Sequence, residues 1–373
     1  MSSWTVSSTT SEHRRILVLI KGLGVGGAER LVAEAAPLWN REAFEYAVAY
    51  LLPWKDQLAG SISVTGVPVT CVGGPRGTDV RSVLRLHDLV ADWRPDLIHA
   101  HLPYAGIISR LTTRKPIVYT EHNIVGSYRQ PTRSINRLTY RRNRSVIAVS
   151  EAVARSLTGY PGPKPLVIPN GVTGGDLVNT DGVRAELGIS DSTPLVVHVG
   201  NIRPLKGHNN LIEATVELAN DWPDILVVSI GGEKHQGDLE RVHRSAADAG
   251  VASNIRFLGR RDDARTFLAA ADVVVNPSDA EGLPVSILEA LSQARPVVAT
   301  DVGGVSSVII HEKTGLLVEP GNPSALASAT TRALTDPAAT DWGRAGAKLV
   351  ATSHSLQEMV TRYEKVYQQV LDG

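Results

Sequence analysis

The sequence predicts an α/β protein with two doubly wound halves, each built on a parallel sheet that helices cover on both faces. Short runs rich in Val, Ile and Leu alternate with segments of helical length, and such apolar strands are typical of parallel sheets. The alternation breaks once, over residues 169–182, where glycine and turn-forming residues accumulate. A chain of 373 residues also exceeds the size at which a single core keeps growing. We therefore expect two domains in tandem.

Each half contains six predicted strands. In the first half they cover residues 15–20, 45–52, 68–73, 96–101, 116–122 and 145–150. In the second half they cover residues 194–200, 225–232, 255–260, 272–278, 296–300 and 314–320. The closing segment, residues 354–371, has the periodicity of an amphipathic helix. Because doubly wound sheets bind ligands beyond the carboxyl ends of their strands, we expect the shared ligand in a cleft between the halves.

Composition excludes several classes of protein. The 38 basic residues balance the 38 acidic ones, so no overall field favours nucleic acid as a partner. A single cysteine, Cys71, excludes an internal disulfide and fits a reducing compartment. Residues 1–13, which we predict to be disordered, lack the apolar core of a signal peptide, and no apolar stretch approaches membrane-spanning length. We expect a cytoplasmic protein.

The loop GLGVGG, residues 22–27, lies between the first predicted strand and a helical segment. Its glycines match the G-x-G-x-x-G fingerprint of dinucleotide sites, so one interpretation is an NAD-dependent oxidoreductase. That interpretation also requires an acidic residue at the end of the second strand. Glu45 stands ahead of the apolar part of that strand and Asp56 lies beyond it, so neither is well placed.

In the second half, charged residues follow two of the strands. Arg203 and Lys206 lie in a turn just before a helix, and a helix N-terminus with nearby cations attracts phosphate. Glu281 lies in a Gly/Pro loop, and Glu289 lies on the helix that Pro284 opens. That helix is apolar except for one narrow polar stripe, which faces either water or a ligand. A carboxylate there could accept two hydrogen bonds from a vicinal diol such as ribose.

In the first half, histidines follow the strands. His99 and His101 end one strand, and Glu121, His122 and Asn123 end the next. A histidine in such a place can contact a ligand or move a proton, or it can be an ordinary hydrogen-bonded loop residue. The spacing of these residues does not favour a metal site, and the chain has no Asp-x-Asp motif at residues 261–263.

A basic segment follows these residues. Its four arginines recur at intervals of four, which on a helix makes one stripe, with Ile135 and Leu138 on the inward side. The arginines are Arg129, Arg133, Arg137 and Arg141. The stripe either contacts anionic lipid head groups or a phosphate-bearing acceptor, or is a solvated helix face. Both interpretations stay open.

Taken together, the order and spacing of the motifs resemble the retaining family 4 glycosyltransferases of the GT-B fold, the glycosyl transferases group 1. The resemblance spans about residues 14–355. The motifs that carry it are GVGGAER (24–30), TEHN (120–123), AVSEAVARSL (148–157), VIPNGV (167–172), VGNIRPLKGHNNLIEA (199–214), FLGR (257–260), EGLPVSILE (281–289) and PVVATDVGGVSSVI (296–309).

The resemblance implies a division of labour between the halves. Residues 14–172 would form a Rossmann-like domain that binds the acceptor, with the C-terminal helix, residues 354–373, packed back onto it. Residues 173–353 would form a Rossmann-like domain that binds a nucleotide sugar. The implied donor-binding residues are Gly26, Gly27, Arg203, Lys206, Gly231, Gly232, Arg260, Glu281, Gly282, Leu283, Pro284 and Glu289. Similar enzymes commonly have an arginine where this chain has Asn201, so we assign the guanidinium role to Arg203.

The resemblance also implies the reaction. A sugar would move, with retention at its anomeric carbon, from a nucleotide sugar, UDP-sugars being favoured over GDP-sugars, to a hydroxyl of a glycan, a lipid-linked acceptor or a small molecule. The implied catalytic residues are His122, Arg203, Lys206 and Glu281, and the implied acceptor-binding residues are Gly27, His101, His122 and Asn123. No metal ion or other cofactor is expected.

One further alternative is a binding protein with the same fold and no catalytic activity. Such a protein would be expected to lose one of the paired glutamates or the loop lysine, yet Glu281, Glu289 and Lys206 are all present. Nucleobase, sugar, acceptor, linkage and oligomeric state are not determined by the sequence.

Overall fold

The computed structural model describes residues 13–74, 80–174 and 177–373. The chain divides into two compact units: unit 1 comprises the residues up to Pro169 together with Leu356–Gly373, and unit 2 comprises Asn170–Ser355. The sequence places these boundaries at residues 172 and 353. The predicted disordered segment lies, except for residue 13, outside the described residues, as do residues 175 and 176 of the predicted linker.

Unit 1 is built on one parallel sheet of seven strands. Its strands are β1 (Arg14–Ile20), β2 (Phe44–Tyr50), β3 (Val69–Cys71), β4 (Leu97–His101), β5 (Ile117–Glu121), β6 (Ser145–Ala148) and β7 (Leu166–Val167). Their order is β3-β2-β1-β4-β5-β6-β7, so the direction of winding reverses between β1 and β4. In a doubly wound sheet this reversal opens a crevice at the carboxyl ends of the two strands.

Helices cover both faces of this sheet. They are α1 (Gly27–Ala35), α2 (Ala59–Ser63), α3 (Val80–Trp93), α4 (Leu102–Thr112), α5 (Gln130–Thr139), α6 (Glu151–Ser156) and, from the end of the chain, α14 (Leu356–Asp372). The last five residues of β1 and all of β4 and β5 are buried, as expected for central strands of a parallel sheet, although β4 and β5 also carry polar residues.

Unit 2 repeats the topology with six strands. They are β8 (Leu195–Val199), β9 (Leu226–Ile230), β10 (Ile255–Gly259), β11 (Val273–Asn276), β12 (Val297–Thr300) and β13 (Leu316–Val318), in the order β10-β9-β8-β11-β12-β13. Its helices are α7 (Val183–Leu187), α8 (His208–Asp221), α9 (Asp238–Asp248), α10 (Ala264–Ala270), α11 (Val285–Ser292), α12 (Pro323–Thr335) and α13 (Ala339–Ser353). The reversal here lies between β8 and β11.

The predicted α/β class with two doubly wound sheets is confirmed. Each predicted strand overlaps an observed strand: ten predicted ranges contain the observed strand, and β1 and β2 each begin one residue earlier than predicted. Strand β7 was not predicted, because two residues are too few to produce a periodic pattern. Within the described ranges, no helix combines the length and the apolar character that crossing a membrane requires.

Candidate active site residues in the two units

In unit 2 two loops with charged residues lie side by side at the strand reversal. The loop after β8 carries Arg203 and Lys206, and the loop after β11 carries Glu281. Pro204–Lys206 forms a short 3₁₀ turn before α8 begins at His208. Because β8 and β11 are neighbours in the sheet, the loops at their carboxyl ends meet, although they are distant in sequence.

Lys206 and Glu281 form a largely buried ion pair across this crevice. The Nζ atom of Lys206 lies 2.6 Å from Oε1 of Glu281, and the two side chains are 23% and 8% exposed. The hydroxyl of Ser278 donates a hydrogen bond to the same oxygen at 2.7 Å. The ammonium group is therefore held in a fixed place, where it can meet an anionic group with little reorganisation.

Two glycines allow the surrounding loops to approach this closely. Gly207 has a φ of +66°, and a side chain there would overlap the carbonyl oxygen of Pro277. Gly303 has a φ of +59°, and a side chain there would overlap the carbonyl oxygen of Glu281. Both positions require a left-handed backbone and the absence of a Cβ atom. The loop of Glu281 is thus packed between the turn of Lys206 and the turn at Gly303.

Arg203 and the predicted nucleobase residues lie around the same edge of the sheet. Arg203 is exposed and begins the turn that contains Lys206. Asn201, which replaces the arginine of similar enzymes, accepts a hydrogen bond from the amide of Gly232 at 3.1 Å. Gly231 donates to the carbonyl of the last residue of β10 at 2.8 Å. Arg260 follows that strand directly and lies 3.8 Å from a carboxylate oxygen of Asp262.

The remaining predicted donor residues lie at the start of α11. Pro284 is the N-cap residue of this helix, and Glu289 lies inside it with 9% of its surface exposed. The preceding loop is fixed by hydrogen bonds to its backbone: the carbonyl of Gly282 accepts from the Gly304 amide at 2.8 Å, and the carbonyl of Leu283 accepts from the side chain of Asn170 at 2.9 Å.

The predicted polar stripe of α11 consists of Ser286, Glu289, Ser292 and the C-cap residue Gln293. Oε1 of Gln293 accepts a hydrogen bond from the backbone amide of Val178 at 2.8 Å. Gln293 therefore faces the segment before α7, and the hydroxyl of Ser292 donates to the carbonyl of Glu289 at 2.7 Å. At least part of the stripe thus bonds within the fold.

In unit 1 three histidines share one face of the sheet. His99 and His101 alternate with Ala100 along β4, and His122 follows the neighbouring strand β5. Nδ1 of His101 lies 3.0 Å from Nε2 of His122, and the rings of His99 and His101 are 4.1 Å apart. All three are buried. The structure therefore joins His101 and His122, two predicted acceptor residues, in one hydrogen-bonded pair.

Helix α14 covers this histidine face with two tyrosines that sequence reasoning missed. The hydroxyl of Tyr367 lies 2.6 Å from Nδ1 of His99, and Nε2 of His99 lies 2.7 Å from the hydroxyl of Thr120. The ring of Tyr363 meets the ring of His99 edge to face at 5.1 Å. The two tyrosines are four residues apart on an amphipathic helix, so the sequence could predict that they lie on one face. It could not predict that this face packs against histidines.

Burial keeps these histidines neutral. It lowers the pKa of His122 to about 4. Burial, with the neighbouring His122, lowers the pKa of His99 to about 3, and burial with both neighbours lowers the pKa of His101 well below its ordinary value. At neutral pH each ring therefore has one N–H donor and one acceptor nitrogen.

The glycine-rich loop of unit 1 ends at the start of α1. Gly26 is the N-cap residue and Gly27 the first residue of the helix. The carboxylate of Glu29, in the first turn, lies where a side chain at Gly26 would project. An anion of the chain itself therefore lies at this helix N-terminus, which favours negative charge. Glu45 lies inside β2, not ahead of it, and pairs with Arg15 at 2.8 Å.

Two family models match most of this chain. A model of Glycosyltransferase Family 4 matches residues 25–173, and a model of Glycosyl transferases group 1 matches residues 179–349. The chain belongs to glycosyltransferase family 4. Its fold is GT-B: a crystal structure of Anabaena Alr3699/HepE in complex with UDP-glucose superimposes with a TM-score of 0.86 at 22% identity, covering 96% of this chain and all of that one.

Two curated relatives are similar to parts of this chain. A D-inositol 3-phosphate glycosyltransferase of Corynebacterium urealyticum is 32% identical over 270 residues, which are 65% of this chain and 63% of the relative. A UDP-Gal:alpha-D-GlcNAc-diphosphoundecaprenol alpha-1,3-galactosyltransferase of Escherichia coli is 26% identical over 310 residues, 76% of this chain and 78% of the relative. The alignments with three matching D-inositol 3-phosphate glycosyltransferases span 63%, 45% and 56% of their lengths.

The basic segment of this family 4 member differs from its prediction in two respects. Only Arg133 and Arg137 lie in α5, because Arg129 precedes the helix and Arg141 lies in the following 3₁₀ turn. All four arginines are exposed. Ile135 and Leu138, predicted to face inward, are 44% and 76% exposed.

The buried residue of α5 is instead polar. Asn136 is fully buried, and its Oδ1 accepts a hydrogen bond from Nη1 of Arg110, itself fully buried on α4, at 2.7 Å. This bond turns the two apolar side chains outward, because the buried amide takes the position that faces the core.

Among the described residues, no group of three or more His, Cys, Asp or Glu side chains could hold a metal ion.

Proposed function

We propose that this chain transfers a sugar, with retention at the anomeric carbon, from a nucleotide diphosphate sugar to a hydroxyl acceptor. The observation that carries the proposal is the Lys206–Glu281 pair at the strand reversal of unit 2. We favour UDP-sugars over GDP-sugars as donors. In support, the Escherichia coli relative is named for UDP-Gal, and the Anabaena crystal structure contains UDP-glucose.

The donor diphosphate would lie against the loop that carries Arg203 and Lys206. Charge grows on the diphosphate as the glycosidic bond breaks, so preorganised cations stabilise the transition state more than the ground state. Lys206 is held in place by Glu281, and a bound diphosphate would compete with that carboxylate for the ammonium. Arg203 is exposed at the start of the same turn, where it can close over the phosphates.

The carboxylates would contact the two ends of the donor. Glu289 on α11 would accept hydrogen bonds from the ribose hydroxyls, and Glu281 with the backbone of Gly282, Leu283 and Pro284 would bind the sugar. The backbone of Gly231, Gly232 and Arg260 would contact the nucleobase.

Unit 1 would contribute the groups near the reacting sugar and the acceptor. His122, paired with His101, is neutral and can donate or accept one hydrogen bond with a sugar hydroxyl. Asn123 and the amides of Gly26 and Gly27 would complete the contacts. Acceptors of three classes are compatible with the proposal: a glycan, a lipid-linked sugar and a small molecule. The names of the relatives include an inositol phosphate and a diphosphoundecaprenol.

We propose that departure and attack occur on one face of the sugar, through an oxocarbenium-like state. The proposal assigns charge stabilisation to the cations of unit 2 and requires neither a metal ion nor another cofactor. We further propose peripheral contact of the basic segment with an anionic membrane, supported by the exposure of its four arginines together with Ile135 and Leu138.

A thermal-shift screen with UDP, GDP, ADP and NAD tests the proposed function, because a ligand that binds only the folded state raises the midpoint. We expect UDP to stabilise the protein, and Glu289→Ala to weaken that stabilisation. Glu213→Gln, at an exposed position on α8, is the matched control. Stabilisation by NAD alone would support an oxidoreductase instead.

Turnover separates an enzyme from a binding protein. We expect the protein to release UDP from UDP-glucose, slowly with water and faster with an acceptor, and to do so equally well in EDTA. Binding of UDP without any turnover would indicate a catalytically silent protein. A strict requirement for Mg²⁺ would contradict the metal-free part of the proposal.

A further inference from the structure

We propose that Glu121 is a positioning residue that orients His122 and Asn123, and this inference rests on the proposed function. Glu121 ends β5 and is fully buried. None of its surface is exposed to solvent, so it cannot contact a substrate, whereas His122 is 8% exposed. Its role must therefore act through the groups that it holds.

The Glu121 carboxylate accepts hydrogen bonds from four donors. Oε1 accepts from the backbone amides of His122 at 3.1 Å and Asn123 at 3.3 Å, and from the hydroxyl of Tyr128 at 2.5 Å. Oε2 accepts from the hydroxyl of Tyr119 at 2.5 Å. Within the part of the chain that the structure describes, this carboxyl group has four donors and no acceptor, which is the environment of an ionised carboxylate.

The same carboxylate fixes both ends of the segment between β5 and α5. The amides of His122 and Asn123 lie at its beginning, and Tyr128 lies at its end, two residues before α5 starts at Gln130. The side-chain amide of Asn123 also donates to the hydroxyl of Tyr128 at 3.0 Å. Glu121 therefore determines where the backbone of His122 and Asn123 lies relative to β5.

A buried cation lies behind this cluster. The guanidinium of Arg110 lies 4.5 Å from the centre of the Tyr119 ring, and the hydroxyl of that ring donates to Glu121. Burial raises the pKa of Glu121, whereas the four hydrogen bonds act in the opposite direction. The tyrosines thus compensate for the absence of a directly bound cation, because a desolvated carboxylate needs hydrogen-bond donors to stay in the core.

The chain offers a matched set of variants. Tyr128→Phe removes one donor from Glu121 and keeps the ring, and Glu121→Gln weakens all four bonds at nearly constant volume. Tyr140→Phe is the control, because Tyr140 is a buried tyrosine 6.3 Å from Tyr119 whose hydroxyl makes no hydrogen bond within the described part of the chain. Should Glu121→Gln fail to fold, Tyr128→Phe still provides the test.

The first readout is amide hydrogen exchange, which needs no substrate. In Tyr128→Phe we expect the amides of His122 and Asn123 to exchange about tenfold faster, the consequence of weakening a hydrogen bond to a charged group. In Tyr140→Phe they should exchange at the wild-type rate. Equal exchange in wild type and Tyr128→Phe would overturn the proposal.

The second readout separates positioning from general stability. With UDP-glucose and water as substrates, we expect Tyr128→Phe to lower kcat about tenfold. The KM for UDP-glucose and the stabilisation by UDP should stay unchanged, because the proposed contacts of Arg203, Lys206 and Glu289 with the UDP part of the donor all lie in unit 2. Unchanged kcat in a variant with loosened amides would also overturn the proposal. A wild-type protein that neither binds UDP nor consumes UDP-glucose would contradict the proposed function. In that case the exchange rates would still test whether Glu121 positions His122 and Asn123.

Discussion

The Nζ atom of Lys206 lies 2.6 Å from Oε1 of Glu281, although 75 positions separate the two residues in the chain. Neighbouring strands of unit 2 bring them together, and Ser278 anchors the carboxylate. The pair is thus built into the crevice of a doubly wound sheet, where such folds bind their ligands.

Removing the ammonium should therefore impair catalysis more than folding. We expect Lys206→Ala to lower kcat for UDP-glucose consumption on the order of 10²-fold to 10³-fold, because one preorganised contact to the developing charge is lost. Lys348→Ala, at an exposed lysine on α13, should retain the wild-type rate. Steady-state kinetics checks both, and near wild-type turnover by Lys206→Ala would contradict the assigned role.

The close approach of Gly207 to Pro277 predicts that an alanine destabilises the protein more at Gly207 than at Gly321, although the two glycines have similar φ angles. Gly207 and Gly321 have φ angles of +66° and +69°, but only at Gly207 would a Cβ atom meet the backbone, at Pro277. Gly321→Ala should cost about 1–2 kcal/mol of unfolding free energy from backbone strain alone. Gly207→Ala should cost clearly more and also lower activity, because Lys206 precedes it directly. Urea unfolding of both variants measures the difference, and equal losses would show that the overlap with Pro277 is relieved without cost.

The buried histidines of unit 1 predict how stability depends on pH. His122 and His99 have pKa values lowered to about 4 and about 3, so the unfolded chain binds their protons at a higher pH than the folded chain does. Stability is therefore complete above the ordinary pKa of about 6.5 and falls as the pH drops towards these folded values, by up to about 1.4 kcal/mol per unit for each histidine.

Unfolding in urea at about pH 7.5 and about pH 5 tests this dependence. His99→Gln should reduce the loss of stability between the two pH values, because it removes one of these groups. His87→Gln, at an exposed position on α3, should leave the loss unchanged. A His99→Gln variant with the wild-type pH dependence would contradict the prediction.

The outward side chains of α5 predict binding to anionic vesicles. We expect Arg133→Glu combined with Arg137→Glu to weaken co-sedimentation with phosphatidylserine vesicles by at least about tenfold, since each basic residue near such a surface contributes about 1 kcal/mol. Leu138→Ser should weaken it as well, because this side chain is 76% exposed. Arg41→Glu combined with Arg155→Glu changes the net charge equally at other exposed positions and is the control. Equal binding by both double variants, or binding that ignores phosphatidylserine, would leave the segment a solvated face.

The glycine-rich loop GLGVGG shows which features a local motif can predict. Its prediction of a strand, a tight loop and a helix N-terminus is correct, because those features depend on neighbouring residues. Its ligand could not be read from the fingerprint. The carboxylate at this helix N-terminus belongs to Glu29 of the same chain, and the acidic residue Glu45 is paired with Arg15.

The sequence by itself determined the strands, the doubly wound halves and the loops that carry the candidate residues, because apolar runs and turn residues act over short distances. Only the tertiary structure decided which of those residues meet. It paired Lys206 with Glu281 through adjacent strands and placed Tyr363 and Tyr367 over the histidines. It also turned Ile135 and Leu138 outward, because the hydrogen bond of Arg110 to Asn136 fixes which side of α5 is buried. Helical periodicity identifies the sides of a helix, but the partner across the core selects the one that faces inward.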